Sequence, residues 1–181
     1  MKKIVLIVCC FFLIGSCKKE ESKEMDKAVT ADDTIAKPAE FADPKYAEIG
    51  KKTLADMEKG DMDSWMNIYA DSAVYVWNSG DSLVGKPAIA SYWKQRRANV
   101  IETIKFDDAI FLPIMVNKPQ SVEAKGVWLL AWYKTTAKYR NGKEMTQWIH
   151  TDYHFDSNDK VDRVIQYIDK AAINAALPLP K

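Results

Sequence analysis

The feature that most constrains the fold is a block of four β-rich segments that fills the chain after residue 100. They cover approximately residues 104–114, 121–139, 143–155 and 160–169. Asn141-Gly142 has the residue pair typical of a two-residue type I′ hairpin turn, and a second short turn follows residue 156. Short connections of this kind join antiparallel neighbours. The second half of the chain is therefore predicted to form an antiparallel sheet.

Two helices are predicted before this sheet. Apolar residues spaced among charges indicate an amphipathic helix over residues 46–59, ended by Gly60. Asp61 is placed to cap a second helix, in which Trp65 and Tyr69 lie one turn apart on an apolar stripe. Such a pair belongs to the core more often than to a ligand cage.

A short hairpin and a third helix complete the first half. Residues 73–77 form a β-rich run that turns into a second short strand ending near Val84. Gly85-Lys86-Pro87 opens a helix, because proline is favoured in a first helical turn. Arg96-Arg97 ends it with the charge that suits a helix C-terminus. Helices gathered before a later antiparallel sheet predict an α+β fold.

The start of the chain has the pattern of a secretory signal peptide that ends in a cysteine. Lys2-Lys3 precede an apolar run over residues 4–14, and Gly15-Ser16 lead to Cys17. The apolar run is shorter than the roughly 17–25 residues that a membrane-spanning helix needs. The junction resembles the lipobox of bacterial lipoproteins, which implies lipid attachment at Cys17. A freely secreted protein in which Cys17 is incidental is the alternative.

The predicted organisation has four parts. Residues 1–16 are the signal peptide, 17–44 a lipidated, disordered tether of mostly charged and small residues, 45–170 the folded domain and 171–181 a C-terminal tail. Lys19-Glu20-Glu21 resembles the export signal of Bacteroidetes-type surface lipoproteins, although simple solvating charges are the alternative. We therefore expect an outer membrane lipoprotein that faces the periplasm or the cell surface.

Charge and cysteine content exclude two classes of interaction. The formal net charge of +1 gives no electrostatic basis for nucleic-acid binding. Cys9 and Cys10 would be removed with the signal peptide, and Cys17 would carry the lipid. A disulfide is therefore not expected, and stability must come from core packing.

The domain resembles the nuclear transport factor 2-like (NTF2-like) superfamily, which includes the SnoaL-like polyketide cyclases and ketosteroid isomerase. The resemblance spans residues 46–169 and rests on Lys59-Gly60-Asp61, Tyr69-Ala70-Asp71-Ser72-Ala73-Val74, Gly85-Lys86-Pro87-Ala88-Ile89, and Phe155-Asp156 with Lys160-Val161. It implies a cone, in which a strongly curved sheet wraps around the helices. It also implies an apolar pocket at the wide end.

Enzymes of this superfamily carry catalytic groups at pocket positions that hold other residues here. The resemblance aligns Thr53 with the oxyanion-donating tyrosine of ketosteroid isomerase, and Trp77 with its general-base aspartate. Thr151 aligns with the protonated aspartate of its oxyanion hole, and Gln166 with a catalytic aspartate of SnoaL-like cyclases. Tryptophan offers no base, and threonine and glutamine are weaker donors than a buried carboxylic acid. No catalytic residue is predicted at these positions.

The same alignment and the alternation of strand residues predict the pocket lining. The expected lining residues are Thr53, Trp65, Tyr69, Trp77, Trp93, Thr151, Tyr153, Val164, Gln166 and Ile168. Such a pocket suits a small, flat, mostly uncharged apolar or aromatic ligand. Trp148, His150, Asp152 and His154 are predicted to point to the outer face, which commonly supports a homodimer in this superfamily.

Neither a metal nor a cofactor is predicted. His150 and His154 lie about 13 Å apart along one strand, too far to share an ion with Asp152 between them. Asp61 and Asp63 are better explained by capping and by the helix dipole than as ligands. We find no nucleophile motif and no glycine-rich phosphate loop.

Three functions remain open. The first is a membrane-anchored, non-catalytic module that binds a small molecule. The second is a cyclase, isomerase or dehydratase with non-standard catalytic groups, for which Asp71, Tyr75 and Tyr153 are the candidates. The third is a structural or dimerising envelope module whose cavity is filled by its own side chains.

Overall fold

The computed structural model describes residues 37–119 and 124–177. Within these ranges the chain forms seven strands and four helices. In chain order they are β1 (Ala39–Phe41), α1 (Lys45–Lys59), α2 (Met62–Met66), β2 (Tyr69–Trp77), β3 (Ser82–Val84), α3 (Lys86–Asn99), β4 (Ile101–Val116), β5 (Gly126–Tyr139), β6 (Glu144–Phe155), β7 (Val161–Tyr167) and α4 (Lys170–Ala176).

All seven strands belong to one curved, unclosed sheet in the order β1-β4-β5-β6-β7-β2-β3. The long strands β4 to β7 form the predicted antiparallel meander, and β2 joins β7 in parallel. α1 packs on β4 and β5, and α3 packs on β2 and β4. The predicted α+β cone is thus confirmed, with the helices inside the curvature of the sheet.

The helix boundaries follow from local chemistry. Gly60 ends α1 with φ of 75°, a left-handed conformation that glycine adopts without a steric penalty. The Asp61 side chain accepts a hydrogen bond from the Ser64 N–H at 3.0 Å and caps α2. α2 ends at Met66, earlier than the predicted apolar stripe. Tyr69 therefore lies in β2, yet its ring still meets that of Trp65, 4.8 Å away.

The two later turns are hairpin loops of three residues. The Gly142 N–H donates to the Tyr139 carbonyl at 2.9 Å, and Gly142 alone in this loop has a positive φ, of 82°. A type I′ turn needs positive φ at both central residues, so the predicted turn type at Asn141-Gly142 is wrong. The loop is a type I turn closed by a left-handed residue. Asp159, with φ of 57°, has the same place in the next loop.

Regular secondary structure begins before the predicted start of the folded domain and continues past its predicted end. β1 lies within the segment predicted as a tether, and its Ala39 and Phe41 pair with the end of β4. α4 lies within the predicted C-terminal tail, where the Asp169 carboxylate caps it by accepting from the Ala171 N–H at 2.7 Å. Backbone pairing offsets the poor apolar content of β1.

The proposed signal peptide, Cys17 and the export motif lie outside the described residues. Among the helices of the described ranges, none combines the length and the apolar character needed to cross a bilayer.

Candidate functional site

A cavity of about 100 Å³ lies between α3 and the inner face of the sheet. Side chains from α1, α2, β2 and α3 line one side of it, and inward-facing residues of β4 to β7 line the other. Ile173 of α4 also contributes, so the helix missed by the sequence prediction helps to bound the cavity. This volume is below the roughly 300–1,000 Å³ typical of pockets for drug-sized ligands. It suits a small molecule.

Aromatic rings form one wall of the cavity. The Trp93 ring lies 5.9 Å from that of Trp65, 6.0 Å from that of Tyr75 and 5.3 Å from that of Tyr92. The Trp77 ring approaches Tyr92 at 5.3 Å. Tilted and edge-on contacts at these separations are favourable between aromatic rings. The rings pack against one another and leave part of the space between helices and sheet empty.

A chain of hydrogen bonds runs from Trp77 of this wall across the neighbouring strands. Trp77 Nε1 donates to Gln166 Oε1 at 3.1 Å, and Gln166 Nε2 donates to Thr151 Oγ1 at 3.3 Å. Thr151 Oγ1 lies 2.7 Å from the Tyr133 hydroxyl. An indole nitrogen can only donate, so this contact determines which way the Gln166 amide is turned. The chain holds three strands, β2, β7 and β6, in register with β5.

Three buried tyrosines surround the same space. Burial raises the pKa of the Tyr75 and Tyr153 hydroxyls well above the usual 10, and it raises the pKa of Tyr133 as well. All three hydroxyls therefore stay protonated at neutral pH. They can donate hydrogen bonds to a ligand but cannot act as bases.

Two further polar atoms at the cavity have no partner. The Trp93 Nε1 and the Thr135 Oγ1 are both buried, and neither makes a hydrogen bond to any described residue. Both residues line the cavity. Buried polar groups are nearly always paired, so these two atoms are the polar groups of the lining that still lack a hydrogen-bond partner.

Six of the ten residues predicted to line the pocket do line the cavity. They are Trp65, Trp77, Trp93, Tyr153, Gln166 and Ile168. Alternate side chains of β6 and β7 were predicted to face the inside of the sheet. This alternation places Tyr153 and Gln166 on the same face as Trp77. The aromatic part of the predicted site is therefore brought together.

Four predicted lining residues lie elsewhere in the core. Thr53 faces Leu129 on the other side of α1, where its hydroxyl donates to the Ile49 carbonyl at 2.7 Å. Thr151 lies behind Tyr133 and Gln166, so it supports the wall instead of forming it. Val164 and Tyr69 are fully buried beside the cavity without lining it.

The sequence reasoning missed most of the lining residues, among them Arg96, Tyr133 and Thr135. Arg96 was assigned to the helix end, and Tyr133 and Thr135 were not singled out, although all three line the cavity. The alternation of β5 contained the signal, since Tyr133, Thr135 and Ala137 share one face. Counting back from the hairpin would have placed them opposite Ile149, Gln147 and Met145. The place of Arg96 at the cavity could not be found in this way, because it depends on how α3 packs against the sheet.

The candidate acids lie away from the cavity. Asp71 is exposed on β2, and Asp152 points to the outer face, where its Oδ1 lies 2.8 Å from the His150 Nε2. Burial raises the pKa of Asp152, and the nearby His150 opposes this rise. Among the residues that the structure describes, no aspartate or glutamate lines the cavity. Asp71 is thus excluded as a candidate catalytic group of this cavity.

The two histidines of β6 are engaged separately. The His150 Nδ1 lies 3.2 Å from the Ala131 carbonyl, and the His154 Nδ1 lies 2.5 Å from Asp162 Oδ1. The described part of the chain contains no group of three or more metal-ligating side chains.

Comparisons with known proteins support the fold. No protein-family profile and no curated sequence match this chain. A provisionally named polyketide cyclase from Xanthomonas campestris pv. campestris superimposes with a TM-score of 0.58 at 15% identity, covering 72% of this chain and 95% of that one. An NTF2-like protein of unknown function from Burkholderia pseudomallei K96243 gives 0.57 at 11% identity, covering 74% and 97%.

A third neighbour is a hypothetical protein with a ketosteroid isomerase-like fold from Catenulispora acidiphila DSM 44928, solved with trimethylamine. It gives a TM-score of 0.52 at 14% identity, covering 74% of this chain and 94% of that one. At these identities the likeness establishes the fold alone. The chain therefore has the cone-shaped fold shared by NTF2-like, SnoaL-like and ketosteroid isomerase-like proteins.

Proposed function

We propose that this chain is a lipid-anchored envelope module that binds a small molecule without transforming it. The observation that carries the proposal is a partly open aromatic cavity bounded by buried hydroxyl and indole donors, with no described carboxylate in its lining. Enolisation needs a base near the substrate carbon, and protonated tyrosines do not supply one. Binding needs only the apolar surface and the donors.

Ligand titration followed by tryptophan fluorescence tests this proposal, because Trp65, Trp77 and Trp93 surround the cavity. Toluene, benzamide and benzoate serve as small flat probes, and native mass spectrometry of gently purified protein looks for a co-purifying molecule. The Ala137→Leu variant should abolish binding, since Ala137 is buried in the cavity wall.

The matched control is Ala98→Leu, the same change at an exposed position of α3. Thermal unfolding of both variants checks that they fold. Probe binding that survives in a folded Ala137→Leu protein would place the ligand elsewhere. Failure of the wild-type chain to bind any probe would favour a structural module.

The fold shared with cyclase-like and isomerase-like proteins favours an enzyme as the second candidate. Of the predicted candidates, Tyr75 and Tyr153 line the cavity and could act as donors to a developing enolate. Deuterium exchange at the α-carbon of acetophenone, followed by NMR, provides the test. Exchange that the protein accelerates, and that Tyr153→Phe abolishes, would replace the binding proposal with this one.

The lipid anchor is the second component of the proposal. It rests on the signal-peptide pattern and on Cys17 with Gly15 and Ser16 before it. Mass spectrometry of the mature N-terminus should find a diacylated or triacylated Cys17 in the outer membrane fraction. The Cys17→Ser variant should lose the lipid. An unmodified N-terminus at any other residue would contradict the anchor.

A homodimer through the outer face of the sheet is the third component. Ile110, Trp132, His150 and Tyr167 are register partners in one row across β4 to β7. Ile110 is 57% exposed and Tyr167 is 45% exposed, and the nearby Trp148 is 55% exposed. Exposed apolar side chains clustered on one face are typical of an interaction surface. A second copy of the chain would cover all three.

Analytical ultracentrifugation of the Ile110→Lys variant tests the dimer. A lysine buried at a two-fold interface is desolvated in both copies, which costs free energy twice. The dissociation constant of the dimer should therefore rise at least tenfold. Val84→Lys is the matched control, because Val84 is 69% exposed but lies on β3 at the far edge of the sheet. A wild-type chain that is monomeric at all accessible concentrations would exclude this component.

A further inference from the structure

Arg96 is the only charged residue in the lining of the cavity, within the described part of the chain. It lies near the end of α3, and its guanidinium carbon is 5.6 Å from the centre of the Tyr92 ring. Its charge opposes the rise that burial produces in the pKa of Tyr139. Tyr92 and Tyr139 both line the cavity. Arg96 is partly buried, as are Tyr92 and Trp93 of the aromatic wall.

No described carboxylate neutralises Arg96. It makes neither an ion pair nor a side-chain hydrogen bond with another described residue. In contrast, the Glu102 carboxylate at the start of β4 is 3.0 Å from Lys138. Arg97, the next residue, uses its guanidinium to donate to the Ile101 carbonyl at 3.2 Å. A guanidinium has five N–H donors and no acceptor, so Arg96 retains its capacity for a carboxylate.

Side chains around the cavity also carry donors. Thr151 Oγ1 accepts from Gln166 Nε2 and lies 2.7 Å from the Tyr133 hydroxyl, where either oxygen can be the donor. When Thr151 donates to Tyr133, the Tyr133 hydrogen is left for another acceptor. The Trp93 indole N–H can only donate, and it has no partner. The Thr135 hydroxyl can donate as well. Oxygen acceptors suit all these groups.

We infer that the ligand of this cavity is a small carboxylate with an apolar body, whose carboxylate pairs with Arg96 while the body packs against the aromatic wall. The inference rests on the proposed binding function and names its ligand class. It departs from the prediction of a mostly uncharged ligand, because that prediction assigned Arg96 to the helix end alone. A charge-assisted, bidentate hydrogen bond to guanidinium gives a carboxylate its advantage over a neutral molecule of the same shape.

Matched pairs of probes that differ in charge but hardly in shape test the inference. Benzoate is compared with benzamide, and 3-methylbutyrate with 3-methylbutanamide, by fluorescence titration or calorimetry at pH 7 and low salt. Each carboxylate should bind at least about tenfold more tightly than its amide. Equal affinity within a pair would overturn the inference but leave the binding function standing. If none of the four probes binds, both proposals fail.

Two variants show whether Arg96 supplies the preference. Arg96→Met keeps an unbranched side chain but removes the charge, so carboxylate affinity should fall at least about tenfold and amide affinity should change less than about twofold. Arg140→Met makes the same change at an exposed arginine that does not line the cavity. It should leave both affinities almost unchanged. Equal losses for carboxylate and amide in Arg96→Met would show a packing role and overturn the assignment.

The interior donors have their own test. Thr135→Val retains the shape of the side chain and removes its hydroxyl. It should weaken the carboxylate and the amide alike, by several-fold, because both carry an acceptor oxygen. Toluene, which carries none, should bind the variant at least as well as the wild-type chain. A variant that binds all three probes as the wild type does would show that the Thr135 hydroxyl meets only cavity water, and this part of the inference would fail.

Discussion

Trp77 Nε1 donates a hydrogen bond of 3.1 Å to Gln166 Oε1, across the parallel strands β2 and β7. The two residues are register partners in the sheet. They also occupy the positions at which the sequence resemblance placed catalytic carboxylates of related enzymes. Here Gln166 satisfies the Trp77 indole N–H, and the contact joins β2 to β7 in the wall of the cavity.

Replacing Gln166 by leucine should destabilise the protein by about 1–3 kcal/mol, because it leaves the buried Trp77 N–H without an acceptor and shortens the chain to Thr151. Urea unfolding measures the change in the free energy of unfolding. Gln95→Leu is the control, since Gln95 is exposed on α3 and its replacement should stay within about 0.5 kcal/mol. Similar values for both variants would show that the hydrogen-bond chain contributes nothing.

The buried tyrosines should make stability fall in alkali. Burial raises the pKa of Tyr75 and Tyr153 well above 10 in the folded protein, so above pH 10 the unfolded chain loses these protons first. The folded state then binds more protons, and its stability falls as the pH rises. Tyr75 and Tyr153 make their full contribution to the free energy of unfolding below about pH 10. This contribution is lost as the pH rises from there towards their pKa values in the folded protein.

Tyrosinate absorbance near 295 nm follows this titration. In the native protein the buried Tyr75 and Tyr153 should ionise only together with the loss of near-ultraviolet circular dichroism. The same chain in guanidinium should show a single titration near pH 10. Simultaneous ionisation of all tyrosines in the native state would contradict the burial of the cavity wall.

Two neighbouring aspartates should differ in their contribution to stability. Asp61→Ala removes the cap on the Ser64 N–H and should lower the free energy of unfolding by about 1 kcal/mol. Asp63→Ala breaks an exposed ion pair with Lys94 and should change it by less than about 0.5 kcal/mol. Thermal or urea unfolding measures both. The reverse order would mean that Asp61 is not the capping residue.

The corrected hairpin loop can be tested at Gly142. Its φ of 82° penalises a side chain, although no other atom lies within 4 Å of the place that a Cβ would take. Gly142→Ala should therefore destabilise the protein by about 1 kcal/mol through backbone strain alone. Gly142→Asn should be better tolerated because asparagine adopts this conformation more readily. Equal effects of the two substitutions would point to a different loop geometry.

Local patterns predicted most of the fold. The first two helices were found from apolar spacing, from Gly60 and from the Asp61 cap, and the four late strands were located to within a few residues. The tight turns near 141 and 158 were located, but the turn type at Gly142 was not. The strand β1 and the helix α4 escaped because short segments have weak periodicity of their own. They form by pairing with β4 and by packing beside the cavity.

The residues of the candidate site also include some that local patterns located and others that they could not locate. Strand parity placed Trp77, Tyr153 and Gln166 on one face, because side chains alternate in any strand. It could not place Thr53, which the packing of α1 turns towards Leu129. Nor could it find that Arg96 lines the cavity while Arg97 bonds to the backbone, because that depends on the rotation of α3 against the sheet.

Sequence periodicity was thus sufficient for the order of helices and strands and for the inward faces, since these depend on interactions between residues near in the chain. The tertiary structure alone settled the size of the cavity, its unpaired donors and its single lining cation among the described residues. Each of these depends on distances between strands and helices that are far apart in sequence. Packing, and not local propensity, sets those distances.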